Sequence, residues 1–90
     1  MAKKALIIGA ARSGLAAAAF LAQRGTEVVL TDTNEKNRAK CEEELKDYDI
    51  TYIWGEQPGI DEIKPDFLVM SPGVPLTIAP VKRARELNIP

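Results

Sequence analysis

The fold of this 90-residue chain is decided by residues 6–15, which carry the sequence LIIGAARSGL. Residues 5–8 form a short apolar run with two isoleucines, which favours a buried strand. Gly9 ends that strand, and an alanine-rich helix is predicted at about 12–24. A strand that enters a helix through a glycine turn leaves backbone N–H groups unpaired at the helix N-terminus, where they carry partial positive charge. We therefore predict that this turn binds a phosphate group.

The composition of the chain narrows the class of protein. The hydrophobic fraction of 46% suffices for one core, and 12 basic against 13 acidic residues leave no excess of positive charge for nucleic acid. The 90 residues contain no histidine and one cysteine, Cys41, so they offer no histidine catalysis, no histidine metal ligand and no intrachain disulfide. Neither a signal-peptide core nor an apolar run of about 18 residues is present, so we expect a cytoplasmic protein without a membrane span.

Strands and helices alternate along the rest of the chain. Further strands are predicted at 27–31, 50–54 and 66–70, and further helices at about 35–46, 60–64 and 80–87. Such alternation is typical of parallel βαβ units with right-handed crossovers. We therefore predict an α/β fold, a Rossmann-like doubly wound parallel sheet with strand order 3-2-1-4 and flanking helices. We expect residues 1–90 to be one domain of a longer protein, and their sheet to be a fragment of a larger one.

Several packing details are also predicted. The fourth strand is nearly all apolar, so we expect a central position in the sheet. Glu42 and Lys46 are spaced for an exposed pair on the second helix, and Leu87 is expected to point inward from the last helix. Cys41 is interpreted as an inert helix residue.

The glycine turn has two interpretations. A dinucleotide fingerprint is G-x-G-x-x-G, and its three glycine positions hold Gly9, Ala11 and Gly14 here. Ala11 weakens the dinucleotide interpretation, because the middle glycine normally lets the backbone approach a pyrophosphate. Gly9 and Gly14 could instead serve only the turn and the contact between helix and strand. Arg12 and Ser13 favour an anion site, because a purely structural turn does not require them, although Arg12 could equally be solvated.

Asp32 lies 18 residues after Gly14, at the end of the second predicted strand. In dinucleotide enzymes an acid at this place holds the ribose hydroxyls, and such an acceptor could equally bind a nucleobase N–H. The alternative is that Asp32 or Thr33 caps the next helix. Asn34, the residue after Thr33, is a third possible cap.

A stiff turn, Ser71-Pro72-Gly73, follows the fourth predicted strand. The Ser71 hydroxyl and the Gly73 N–H could bind a second phosphate oxygen, or the segment could be a plain type II turn. Because the carboxyl ends of parallel strands meet at one edge of a sheet, residues 9–14, 32–34 and 71–73 are expected to lie together there.

Three segments of the chain, residues 7–16, the Asp32-Thr33 step and residues 70–75, resemble the N-terminal domain of the Mur ligases. The resemblance covers essentially all 90 residues, and the sequence SPGVP at 71–75 is similar to that of the D-glutamate-adding branch. It implies a domain that binds the UDP part of UDP-N-acetylmuramoyl-L-alanine, in an ATP-dependent amide ligase of peptidoglycan precursor synthesis. ATP, Mg²⁺ and the catalytic residues would belong to other domains, so these residues alone are expected to hold no cofactor and to be inactive.

The resemblance also implies which residues contact the substrate. Backbone at Arg12, Ser13 and Gly73 would hold the diphosphate, while residues 32–34 would frame the uracil and ribose. The full implied set is Gly9, Ala11, Arg12, Ser13, Gly14, Asp32, Thr33, Asn34, Ser71, Pro72 and Gly73.

The expected partners are that UDP compound and the remaining domains of the same chain. We expect a monomer, with neither nucleic acid nor membrane as a partner. Two other classes stay open: an NAD(P)-binding module of a dehydrogenase, in which Asp32 would select NAD, and a nucleotide sensor. Ala11 and the 71–73 turn argue against the dehydrogenase, because a nicotinamide site does not need that turn.

Overall fold

The computed structural model describes residues 3–56, 59–71, 74 and 77–90. The strands are β1 (Lys4–Ile8), β2 (Glu27–Asp32), β3 (Ile50–Trp54) and β4 (Phe67–Met70). The α-helices are α1 (Arg12–Gln23), α2 (Arg38–Glu44), α3 (Ile60–Ile63) and α4 (Ala79–Glu86), and a 3₁₀ turn at Glu35–Asn37 precedes α2. The longest helix, α1, has 12 residues, and no helix in the described part is long and apolar enough to cross a membrane.

The four strands form one parallel sheet with the order β3-β2-β1-β4, which confirms the predicted α/β fold and strand order. Ile8, the last residue of β1, pairs with Thr31 of β2 and with Met70 of β4. This register brings the carboxyl ends of the three strands level with one another. The turns that follow β1, β2 and β4 therefore leave the sheet at the same edge.

Both faces of the sheet are covered by helices. On one face, Ile7 and Leu30 pack with Ala18 of α1 and Cys41 of α2. On the other face, the cluster of buried residues comprises Leu6, Ile8, Val29, Ile60 and Val81. Each fully buried leucine or isoleucine contributes about 1.5–3 kcal/mol relative to an exposed one. Coverage of both faces is the reason that β1 and β2 are continuous apolar runs rather than alternating ones.

The described strands place β4 at an edge of the sheet, as the predicted order 3-2-1-4 requires, and the central position predicted for it in a larger sheet stays a prediction. All four of its residues are half-buried. Val69 packs on the cluster beneath α1, while Leu68 and Met70 pack on the opposite cluster. The apolar composition of β4 therefore reflects contact with both layers and does not determine its place in the sheet. On its outer side, the Leu68 N–H donates to the Pro90 carbonyl at 2.8 Å.

The predicted second helix is divided into the 3₁₀ turn and α2. The predicted pair between Glu42 and Lys46 is absent, since Lys46 pairs with Glu43 at 3.1 Å. Glu42 instead accepts a hydrogen bond from Trp54 Nε1 at 3.0 Å and lies 3.4 Å from Arg38 Nε. Helical spacing alone does not reveal this outcome, because Trp54 belongs to β3 and reaches Glu42 only after the sheet has formed.

Helix α4 buries Val81 and Ala84, as predicted, but Leu87 is 42% exposed instead of pointing inward. The helix ends at Glu86, and Leu87 is its C-cap. Asn88 then adopts a left-handed conformation with a φ of 57°. The chain therefore turns before Leu87 completes the buried stripe.

Candidate functional site

The turn after β1 depends on Gly9. Its φ is 108°, in the region that favours glycine, and its N–H donates to the Thr31 carbonyl of β2 at 2.8 Å. A Cβ atom added at Gly9 would lie 2.5 Å from Ser71 Oγ. Both the backbone conformation and the surrounding space therefore require glycine at this position.

Gly14, in the first turn of α1, packs directly against that turn. A Cβ atom added at Gly14 would lie only 2.0 Å from the Gly9 carbonyl oxygen. In a dinucleotide fingerprint the third glycine serves this close packing of helix and strand. The structural role considered for Gly9 and Gly14 is therefore real, and it brings the start of α1 to the carboxyl edge of the sheet.

The N-cap residue of α1 is Ala11, whose side chain has no acceptor with which to cap the helix. The N-cap Ala11 is extended, and the first turn of the helix contains no acidic residue. The Leu15 N–H donates to the Ala11 carbonyl at 3.0 Å and is the first N–H group of α1 with an acceptor within the helix, so the N–H groups of Arg12, Ser13 and Gly14 have none there. Arg12 and Ser13 are exposed. The positive end of the helix dipole is thus available for an anion, as the phosphate prediction requires, although binding itself stays a prediction.

Asp32, the last residue of β2, uses its carboxylate to hold backbone. Its Oδ2 accepts from the Ala10 N–H at 2.9 Å, and its Oδ1 accepts from the Asn34 N–H at 2.9 Å. The carboxylate therefore joins the turn after β1 to the loop after β2. Each oxygen keeps a second lone pair with which it could accept from a ligand, so the predicted ribose or nucleobase contact is compatible with this geometry.

The loop after β2 contains a helix cap at Asn34, one of the three residues that the sequence offered as possible caps. Asn34 Oδ1 accepts from the Lys36 N–H at 2.8 Å and so caps the 3₁₀ turn. The cap is Asn34 rather than Asp32 or Thr33. Thr33 and Asn34 are both exposed beside Asp32. Their predicted contacts to uracil and ribose stay a prediction.

Ser71 closes the same edge from the other side of β1. Its N–H donates to the Ile8 carbonyl at 3.0 Å, and its Oγ donates to the Gly9 carbonyl at 3.2 Å. Ser71 is 8% exposed and its hydroxyl proton is used within the turn, while its predicted contact with a phosphate oxygen stays a prediction. Pro72 and Gly73 lie outside the described residues, and the contact predicted for the Gly73 N–H therefore stays a prediction.

Cys41 also reaches the turn. Its Sγ donates to the Ala10 carbonyl at 3.4 Å, and the residue is fully buried. Burial is the main cause that raises the pKa of the Cys41 thiol, followed by the negative charges of Glu44 and Asp32. The thiol is therefore unreactive, as interpreted from the sequence, but its contact with the turn was missed. That contact depends on how α2 packs over the turn, which no local pattern reveals.

A groove of about 460 Å³ runs between α1 and α2 from this turn. Its lining combines apolar side chains such as Leu15 with the cations Arg12 and Lys40 and the anion Glu44. The residues that line it are Ala10, Arg12, Leu15, Ala16, Ala19, Asn37, Lys40, Glu44, Leu45 and Tyr48. The sequence analysis did not predict this groove, since its walls come from separate helices.

Comparison with known proteins agrees with this geometry. A family model described as "Mur ligase MurD-like, N-terminal domain" matches residues 3–90. The UDP-N-acetylmuramoylalanine--D-glutamate ligase of Pelotomaculum thermopropionicum is 43% identical over 89 residues, which are 98% of this chain and 20% of that protein. Proteins of the same name from Geobacter sp. (strain M21) and Trichormus variabilis are 43% and 41% identical, over 92% and 96% of this chain and 19% of each relative.

The chain thus spans about a fifth of the length of the relatives that it matches. The match nevertheless extends over nearly the whole of the described sheet and its helices. It includes the turn after β1 and the residues after β2 and β4 that meet at the carboxyl edge. The chain therefore belongs to the MurD-like N-terminal domain family of the Mur ligases.

Proposed function

We propose that this chain is the UDP-binding domain of a ligase that adds D-glutamate to UDP-N-acetylmuramoyl-L-alanine in peptidoglycan precursor synthesis. Its relatives bear the name of a UDP-N-acetylmuramoylalanine--D-glutamate ligase. The observation that carries the proposal is the N-terminus of α1, where no described side chain caps the helix, at the carboxyl edge of the sheet beside Asp32. An anionic group is the natural ligand of such a helix end.

The turn after β1 would take the diphosphate. The N–H groups of Arg12, Ser13 and Gly14 are the donors that lack an acceptor within the helix. A hydrogen bond to a charged group contributes about 1.5–3 kcal/mol, so two or three such bonds would supply a large part of the attraction for the diphosphate. The Ser13 hydroxyl and the Arg12 guanidinium, both on exposed residues, would add to this attraction.

The loop after β2 would take the uridine. Asp32 and Asn34 lie beside the diphosphate turn, because the carboxylate of Asp32 holds the Ala10 N–H. A uracil N–H or a ribose hydroxyl can donate to the remaining lone pairs of that carboxylate.

The ligase reaction would need ATP and Mg²⁺, and these residues do not fit that task. The sequence contains no G-x-x-x-x-G-K-[S/T] run, which is the usual loop that binds the phosphates of a nucleoside triphosphate. We therefore assign ATP and Mg²⁺ to the other domains of the whole protein. The role proposed for this chain is to bind and orient the UDP part of the substrate.

A titration followed by ¹H–¹⁵N NMR tests the proposal. UDP-N-acetylmuramoyl-L-alanine is added to the 90-residue chain, and NAD is added to a parallel sample. We expect the amide signals of residues 9–14 and 32–34 to shift with the UDP compound and to stay in place with NAD. Shifts with NAD alone would favour a dehydrogenase module. Unchanged chemical shifts of these amides on addition of the UDP compound would also contradict the proposal.

A further inference from the structure

Both main-chain polar groups of Ala10 are held by side chains from outside its turn. The N–H donates to Asp32 Oδ2 at 2.9 Å, and the carbonyl accepts from Cys41 Sγ at 3.4 Å. Ala10 is 1% exposed and Cys41 is fully buried, so water does not compete at the carbonyl. Ala10 is therefore oriented by β2 on one side and by α2 on the other.

Ala10 immediately precedes Ala11, the N-cap of α1. The orientation of the peptide groups on either side of Ala10 constrains the direction of the N–H groups that follow. Each peptide unit is planar and is joined directly to the next, so few backbone torsions separate them. The same carboxylate also holds the Asn34 N–H at 2.9 Å. One side chain thus fixes the two loops that would hold the two halves of the ligand.

We propose that Asp32 and Cys41 are positioning residues for the anion-binding turn, which they hold through the two polar groups of Ala10. The identity of the ligand in this inference rests on the proposed function. Asp32 then contributes to the binding of the diphosphate as well as of the uridine. Cys41 contributes without touching the ligand.

Positioning and direct recognition predict different ligand profiles for Asp32→Ala. If Asp32 only contacts uridine, its loss weakens UDP and leaves inorganic pyrophosphate unchanged. If Asp32 also positions the turn, affinity for pyrophosphate falls as well, about tenfold for the loss of one well-formed charged hydrogen bond, and affinity for UDP falls at least as much. The matched control is Asp49→Ala, which removes an exposed aspartate just before β3, at the opposite edge of the sheet.

Hydrogen exchange of single amides provides a test that needs no ligand. In Asp32→Ala the Ala10 N–H loses its acceptor, so its exchange should accelerate at least severalfold. The Gly9 N–H, which donates to the Thr31 carbonyl, should keep its protection and serves as an internal reference. Asp32→Asn keeps the size of the side chain and therefore controls for a folding defect. Its single acceptor oxygen can serve only one of the two N–H groups, so one of the two hydrogen bonds should still be lost.

Cys41 is tested by a pair of substitutions. Cys41→Ala removes the donor, whereas Cys41→Ser keeps a hydroxyl donor of similar size. We expect Cys41→Ala to weaken UDP and pyrophosphate binding severalfold and Cys41→Ser to retain most of the wild-type affinity. Equal losses in both variants would mean that only packing matters and would overturn this part of the inference.

The outcomes separate the two proposals. Unchanged exchange at Ala10 in Asp32→Ala, or a loss confined to UDP, overturns the positioning role. If the wild-type chain binds neither UDP nor pyrophosphate, the proposed function fails. The exchange measurement then still decides whether Asp32 holds Ala10.

Discussion

At the scale of single residues, Gly14 makes the tightest approach in the site. A Cβ atom there would meet the backbone carbonyl of Gly9 at 2.0 Å, and a backbone atom cannot swing aside as a side chain would. We expect Gly14→Ala to lower the free energy of unfolding by about 1–3 kcal/mol, the usual cost of overpacking. We also expect it to abolish UDP binding, because α1 must move off the turn. Urea unfolding and the NMR titration measure the two effects.

Gly59→Ala is the matched control for this substitution. A Cβ atom at Gly59 would lie 3.3 Å from the carboxyl carbon of Glu62, whose flexible side chain can move away. Its φ of −89° suits any residue. A stability loss in Gly59→Ala equal to that in Gly14→Ala would contradict the role given to the contact between Gly14 and Gly9.

Some roles of the site residues could be predicted from the sequence, and others depend on contacts that only the folded chain makes. The needs of Gly9 and Gly14 were predictable, because a turn between strand and helix imposes them locally. The place of Asp32 at a strand end was predictable too, but its two N–H donors were not. Ala10 and Asn34 reach its carboxylate only when β1 and β2 are paired in register. The contact of Cys41 with Ala10 requires in addition that α2 has docked.

At the scale of elements, an ion pair joins α3 to α4. Arg83 Nε and Nη2 donate to the two carboxylate oxygens of Asp61 at 2.9 Å each. These hydrogen bonds are the main cause that holds the pKa of Asp61 below its ordinary value. A lowered pKa means that the stabilisation is present above the unfolded-state pKa of about 3.9 and is lost as pH falls through the folded-state value.

We therefore expect stability to depend on this pair in acid. The wild-type chain should lose more stability between neutral pH and about pH 3 than Arg83→Gln does, since the variant has already lost the pair. Because both side chains are exposed, the difference should be small and should shrink in high salt. Urea midpoints at the two pH values measure it, with Arg85→Gln on the same helix as control. Identical acid sensitivity in Arg83→Gln and the wild type at low salt would count against the pair.

The elements also show what alternation and composition can predict. The order of strands and helices followed from the apolar runs, and right-handed crossovers then gave the order of the sheet. The edge position of β4 in the described sheet follows from that order, but its apolar composition alone did not indicate it, because its residues pack on two layers. The partner of Glu42 was also hidden, since Trp54 is 12 residues away and on another element.

At the scale of the whole molecule, ligand binding should be visible as stability. A ligand that binds only the folded chain raises the free energy of unfolding by about 2.7 kcal/mol at 100 times its dissociation constant. We expect the thermal midpoint of the chain to rise with UDP concentration and to stay constant with NAD. In Gly14→Ala the midpoint should not respond to UDP. A constant midpoint at UDP concentrations that saturate the NMR signals would contradict specific binding to the folded state.

The burial of Cys41 shields its thiol from reagents in the solvent. The thiolate is the form that reacts with alkylating reagents, and this thiol is both enclosed and kept protonated. Labelling of Cys41 in the native chain therefore requires α2 to separate from the sheet and from Ala10. Since it is the one cysteine of the 90 residues, its labelling rate reports how often α2 separates from the sheet. Ligands that stabilise the turn should lower that rate.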